Sequence, residues 1–165
     1  MRILGIDPGL KATGYGVIEE INGRLKVLEA GTITPNPRRS IPERLIKIHT
    51  DLCELIDLYA PRVLVLEKLY THHDHPPTAS VLGHVRGVIC LAGQQKGLCF
   101  EEYSVKRIRK AVVGNGNASK PQVRRIVCHR LGIPEDRLTL DASDALALAL
   151  GYASIEKLGM GRRDG

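Results

Sequence analysis

Ile3-Leu4-Gly5-Ile6-Asp7-Pro8-Gly9 is a short apolar run that ends in one acid and is stopped at once by Pro-Gly. It reads as a buried strand closed by a turn. Asp7 therefore stands at a strand end. The next stretch, Thr13-Gly14-Tyr15-Gly16-Val17-Ile18, is again β-prone, so the chain is expected to turn back and pair with the first strand as a hairpin. A carboxylate at the end of a central strand has to be solvated, paired or metal-bound, because an isolated buried charge is expensive. The remaining residues decide what else converges on Asp7.

Leu25 to Ile33 forms a third strand candidate, ended by Pro35-Asn36-Pro37. Ser40 stands three residues before Glu43 as a capping box, and Leu45, Ile48, Leu52, Leu55, Ile56 and Tyr59 follow at helical spacing, which predicts an amphipathic helix from Ser40 to Tyr59. Pro61 breaks it. Arg62-Val63-Leu64-Val65-Leu66 is then a continuous apolar run typical of a strand buried on both faces, and it ends in Glu67. The design of the first strand is repeated: a buried strand delivering a carboxylate at its terminus.

Thr71 to Ser80, with His72, His73, His75 and Pro76-Pro77, reads as a loop beyond Glu67. Three His invite a zinc reading, but no Cys or second ligand pair stands nearby at suitable spacing, and a mobile loop facing a ligand is the better expectation. A second helix is expected from Ala79 to Lys96. Gly83 and Gly87 on one of its faces suggest close approach of another backbone, within the fold or across a dimer. Leu98 to Tyr103 is a short strand.

From Tyr103 to Pro134 there is no acid, while Lys106, Arg107, Arg109, Lys110, Lys120, Arg124, Arg125 and Arg130 are all basic. Ser119 and Gln122 form a capping box, Val123, Ile126, Val127 and Leu131 follow at helical spacing, and Gly132 with Pro134 stops the helix. Lys120 falls in its first turn, where a cation opposes the macrodipole by roughly 0.3 to 1 kcal/mol. An uncompensated cost there favours a bound anion, so the block is expected to contact nucleic acid rather than to be a merely solvated face. The last helix begins at Asp141-Ala142-Ser143-Asp144 and runs on through Ala and Leu. Asp141 as its cap and Asp144 in its first turn would both favour the positive helix end, and the residues alone leave that explanation open.

The 165 residues suit one domain, expected over 1–158 with a flexible tail over 159–165. The net charge of +6 suits a polyanionic partner, although composition alone is equally compatible with a merely basic protein. No run is long enough to span a bilayer, and a cytoplasmic protein without signal peptide is expected. Cys53, Cys90, Cys99 and Cys128 lack metal or redox spacing and read as reduced core residues.

If the two strands are neighbours and the last helix packs across their ends, Asp7, Glu67, Asp141 and Asp144 meet in one pocket. Four such charges need counter-charge, which hard divalent cations supply, and Mg²⁺ is favoured because it binds carboxylates and phosphates jointly. Two such ions suit in-line displacement at phosphorus. Beside eight basic residues, that describes a nuclease.

These residues also carry a family resemblance. Ile3 to Gly9 with Thr13-Gly14-Tyr15-Gly16, then Glu67, Gly83, Arg86-Gly87, Val112-Val113-Gly114-Asn115-Gly116, Lys120 and Asp141 to Ala147 together resemble the RuvC family of bacterial Holliday-junction resolvases over nearly the whole chain. The resemblance implies an α/β ribonuclease H-like fold, a five-stranded mixed sheet flanked by helices. It implies a homodimer that makes paired nicks in four-way junction DNA, with one or two Mg²⁺ ions per subunit and Mn²⁺ as a substitute, alongside the RuvA and RuvB branch-migration proteins. By position Asp7, Glu67, Asp141 and Asp144 match the family's acidic tetrad, Lys120 a basic residue near the scissile phosphate, and Tyr70 an aromatic near the junction centre. The second helix matches the dimer interface. Lys106, Arg107, Arg109, Lys110, Arg124 and Arg125 are the remaining candidates for DNA contact. Arg109 stands where the family commonly has Lys, and the His- and Pro-rich loop replaces one that commonly contains Lys and Asn.

An ATP-binding domain of the actin and sugar-kinase type also opens with an Asp-x-Gly hairpin, but it needs two lobes and about twice this length. A non-catalytic junction-binding module is opposed only by the presence of all four acids. A ribonuclease or transposase on the same fold is the nearest enzymatic rival, since bare acids do not reveal which nucleic acid is cut.

Overall fold

The computed structural model describes residues 1–68 and 76–160. Five strands form one mixed sheet: β1 (Arg2–Asp7), β2 (Thr13–Ile21), β3 (Arg24–Ile33), β4 (Val63–Glu67) and β5 (Cys99–Tyr103), in the order β3-β2-β1-β4-β5. β1 pairs antiparallel with β2 and parallel with β4, which pairs parallel with β5. Five helices cover its faces: α1 (Ile41–Tyr59), α2 (Pro76–Gln95), α3 (Val105–Val113), α4 (Lys120–Leu131) and α5 (Leu140–Met160).

Alternation along the central strands divides the core. Leu4, Ile6, Leu64 and Leu66 pack toward α1 and α2, whereas Ile3, Val63 and Val65 pack toward α3, α4 and α5. This two-sided burial is why β1 and β4 read as unbroken apolar runs. The Glu43 carboxylate accepts from the Ser40 backbone N–H at 2.9 Å and from its hydroxyl at 2.7 Å, fixing the start of α1 where the capping signal placed it.

Three elements depart from the sequence reading. α2 begins at Pro76 rather than Ala79, because proline lacks an N–H that the first helical turn does not use. α3 is a helix in its own right inside the basic block. Ser104 Oγ accepts from the Arg107 N–H, Gly114 closes it with φ of 87°, and Ile108 and Val112 are its buried face. α5 starts one residue early and runs to Met160, so residues 157–160 are helical, and Lys157 Nζ donates to Gly23 O at 2.7 Å. Of the cysteines, Cys128 is buried, Cys53 and Cys90 are half-buried and Cys99 is exposed; all are free thiols.

Among the described glycines, the tightest approaches between elements join α5 to the β1–β2 hairpin. A methyl group on Gly5 would collide with Ala145 O and come within 2.9 Å of Ala149 N; one on Gly14 would strike Asp141 O. One on Gly16 would reach 2.6 Å from Leu146 Cδ2. By contrast Gly83 and Gly87 of α2 face nothing within 4 Å among the described residues, so their close-approach role within the fold falls to Gly5, Gly14 and Gly16.

Gly5→Ala should accordingly lower stability by about 3 kcal/mol, because backbone atoms of two rigid elements cannot yield. Gly87→Ala should raise the stability of the monomer by up to about 1 kcal/mol through helix propensity. Urea denaturation of the two variants would give shifts of opposite sign; shifts of equal sign and size would contradict the close packing of α5.

Candidate nuclease site

Parallel pairing of Ile6 with Leu66 puts the ends of β1 and β4 side by side, and with them Asp7 and Glu67. Beyond Asp7 the chain reverses through a turn whose buried Thr13 donates its hydroxyl to Gly9 O at 2.7 Å. Arg44 of α1 donates from Nη2 to Leu10 O at 2.8 Å on the same turn. The strand end is thus tied from two directions.

α5 brings the second pair of acids. Its start is capped by Thr139, whose Oγ1 accepts from the Ala142 N–H at 3.1 Å and lies 2.8 Å from Thr32 Oγ1 on β3. The capping role that the sequence left open for Asp141 therefore belongs to Thr139. Asp141 occupies the second helical position and Asp144 the next turn. The sequence signal for Thr139 was weak because no Glu or Gln stands three residues on.

Asp7, Glu67 and Asp144 line one cavity of about 420 Å³, together with Arg109 of α3 and Lys120 of α4. Asp141 opens instead on a neighbouring cavity of about 780 Å³ that runs along Pro8 to Ala12 and reaches Val81 and Leu82. Its charge is still felt at Asp7. Burial above all, then the charges of Asp144, Asp141 and Glu67, push Asp7 up from 3.8 to about 7, against the opposing pull of Lys120. Burial also raises Glu67, with Lys120 pulling it down and Asp144 pushing it up.

Lys120 Nζ donates to Asp144 Oδ2 at 2.6 Å, and that bond holds the ammonium above its ordinary range. The expected uncompensated cation at the start of α4 is therefore compensated from within the chain, by Asp144. The pair is shallow, with the Lys120 side chain 71% exposed, so it is worth little as a stabilising bridge and is readily exchanged. Among the described residues no three of Asp, Glu, His and Cys are gathered tightly enough to hold one ion as they stand.

The basic block divides by what its members touch. Arg107 stacks over the Tyr103 ring at 4.8 Å. Arg124 donates from Nη2 to Glu135 O at 2.6 Å and Leu138 O at 2.8 Å, holding the segment that leads into α5. Arg130 donates to Ser154 Oγ at 3.2 Å. Lys106, Lys110 and Arg125 form no ion pair with another described residue. Tyr70 and the His72, His73 and His75 cluster lie outside the described residues.

The Asp7 shift carries a pH signature. The folded chain binds Asp7's proton below about 7 and the unfolded chain only below about 3.8, so the native state holds more protons between those values and stability falls as pH rises through that window. In metal-free buffer, melting temperature should drop between pH 5 and pH 8, and Asp7→Asn should flatten that drop. An unchanged slope in Asp7→Asn would place the titration elsewhere.

With this geometry the chain can be set against known proteins. The model of the family "Crossover junction endodeoxyribonuclease RuvC" matches residues 3–152. A RuvC of Rhodopirellula baltica is 43% identical over 148 residues, covering 90% of this chain and 83% of that one. A RuvC of Geobacter sulfurreducens is 41% identical over 154 residues, 93% of each chain. Among solved structures, Thermus thermophilus RuvC in complex with a Holliday junction substrate superposes with a TM-score of 0.89 at 26% identity, covering 96% of each chain. The yeast mitochondrial Holliday junction resolvase Ydc2, at 13% identity, TM-score 0.73 and 98% and 81% coverage, shares the fold. The five-stranded mixed sheet with helices on both faces is the ribonuclease H-like architecture. This chain belongs to the RuvC family of crossover junction endodeoxyribonucleases.

Proposed function

We propose that this chain is a structure-selective DNA endonuclease that resolves Holliday junctions by paired symmetric nicks, through metal-dependent phosphodiester hydrolysis, in recombination and repair. The observation that carries the chemistry is the convergence of Asp7, Glu67 and Asp144 on one cavity, with Asp7 pushed up to about 7, above all by burial and then by its acidic neighbours. The donor set fits a hard divalent cation: carboxylate oxygens alone, at adjoining strand ends and one helix start, with Asp141 one turn away to complete it. Mg²⁺ is the favoured ion and Mn²⁺ its substitute. Bound there, such an ion would supply Lewis-acid activation of water and offset charge on the displaced oxygen.

The chain's own groups do the rest. Rigid strand ends hold Asp7 and Glu67, so the rearrangement that loading requires falls on Asp144 and Asp141. Lys120, at the cavity mouth, can exchange Asp144 for a phosphate oxygen and leave that carboxylate free for the ion. Arg109 offers a planar fork where the family commonly has Lys, which changes the geometry presented to a phosphate. Lys106, Lys110 and Arg125, which form no ion pair with another described residue, suit backbone contact with DNA, whereas Arg107 stacks on Tyr103 and Arg124 spends donors on the fold.

The assembly is proposed as a homodimer paired through α2, whose Gly83 and Gly87 leave an open stripe for a partner helix. RuvA and RuvB are proposed as functional partners and the cytoplasm as the location. Among the described residues no helix is long and apolar enough to cross a membrane. Tyr70 is proposed near the junction centre.

Single-turnover nicking of a synthetic four-way junction, beside matched duplex and RNA–DNA hybrid, tests the reading. The parent chain should nick the junction in preference to both controls. Asp144→Asn should lose at least ~100-fold in rate while junction binding is kept or tightens, since one negative charge facing phosphate has gone. Near-parental cleavage by Asp144→Asn would reduce Asp144 to the charge partner of Lys120.

A further inference from the structure

Where β4 stops, its last carbonyl has no backbone partner among the described residues, for a reason written in the sequence. Cys99 N donates to Arg62 O and Lys68 N to Tyr103 O, so the even-numbered residues of this strand face β5 and the carbonyl of Glu67 faces β1. With Ile6 beside Leu66, the next rung on that edge falls to residue 8. Residue 8 is proline and has no N–H to donate.

Arg86 of α2 stands in for that rung. Its Nη1 donates to Glu67 O at 2.7 Å, and its Nη2 donates to the carboxylate of Glu102 on β5. Only 12% of its side chain is exposed. One guanidinium thus bridges the end of β4 to β5 from the α2 face, and its rigid fork suits two acceptors held at a fixed separation. The carbonyl it anchors belongs to the residue whose side chain enters the cavity, so an unanchored peptide plane would let the Cα–Cβ bond of Glu67 swing. Misplacing a reacting group by about 1 Å can remove ~100-fold in rate.

We propose that Arg86 is a positioning residue, which replaces the β1 rung that Pro8 cannot make and fixes the direction in which Glu67 enters the site. The inference rests on Glu67 being one of the site's acids. It also ties α2, the helix proposed at the dimer interface, directly to the nuclease centre.

The test compares the full chain with Arg86→Met, Arg86→Lys and Glu67→Gln, on a four-way junction with Mg²⁺. In metal-free protein, amide exchange at Lys68, the neighbouring rung, should quicken in Arg86→Met. The Mg²⁺ concentration for half-maximal nicking should rise about 10- to 100-fold, while metal-free junction binding stays within about twofold. Arg86→Lys keeps the charge but loses the fork, and should shift the Mg²⁺ midpoint in the same direction; it carries the comparison if Arg86→Met does not fold. A folded variant with lowered melting temperature or faster Lys68 exchange but an unmoved Mg²⁺ midpoint would show a merely structural clamp and overturn the positioning role, provided Glu67→Gln is inactive. An active Glu67→Gln would instead overturn the reading of the site itself.

Discussion

Helix α5 lies against the backbone of β1 and β2 with no layer of side chains between them at Gly5 and Gly14. Close helix-to-sheet contact of this kind is available only where Cβ is absent, and it sets the height of the helix above the strands to within a few tenths of an ångström. Everything chemical in the molecule follows from that height. One methyl group on Gly14 would lift Asp141 away from the hairpin, and Asp144 would move with it.

The same packing creates the molecule's electrostatic problem. Strand ends that deliver carboxylates into a half-buried cavity lose the hydration that makes those charges inexpensive, and each acid raises the cost of ionising the next. In the chain alone the relief comes from three cations, Lys120 on Asp144 with Arg109 and Arg86 beside Glu67, and from a proton on Asp7 near neutrality. Neither Lys120 nor Arg86 is a strong stabilising device. Lys120 is largely in water, and Arg86 divides its donors between a carbonyl and an acid. A site so arranged is held by the fold and poised to accept positive charge.

Much of this was legible in the sequence because it rests on local signals. Apolar runs ending in Asp7 and Glu67 gave both strand ends, and the Ser40 and Ser119 capping boxes gave two helix starts within a residue. The helix α3 is obscured by the dense charge around it, which masks a Ser cap, a Gly stop and the buried spacing of Ile108 and Val112. The tight glycines are hidden for a different reason. Gly83 and Gly87 look like a packing motif along one helix, whereas Gly5, Gly14 and Gly16 meet α5 across more than a hundred residues of chain, which no local pattern reveals. Arg124 and Arg86 likewise act through partners distant in sequence, on groups whose need for a donor appears only once the sheet is assembled, and Thr139 meets Thr32 in the same way. The basic block shows the converse: its charge count was correct, but part of that charge is spent inside the fold.

The most direct measurement is a crystal structure of the chain with an uncleaved four-way junction and Mn²⁺, read by anomalous scattering. The expected result is a manganese signal between Asp7 and its neighbouring acids, with Asp141 drawn into the set and Lys120 turned from Asp144 to a phosphate oxygen. A junction complex with no manganese at Asp7 and the Lys120–Asp144 pair intact would contradict the four acids forming one metal-dependent centre.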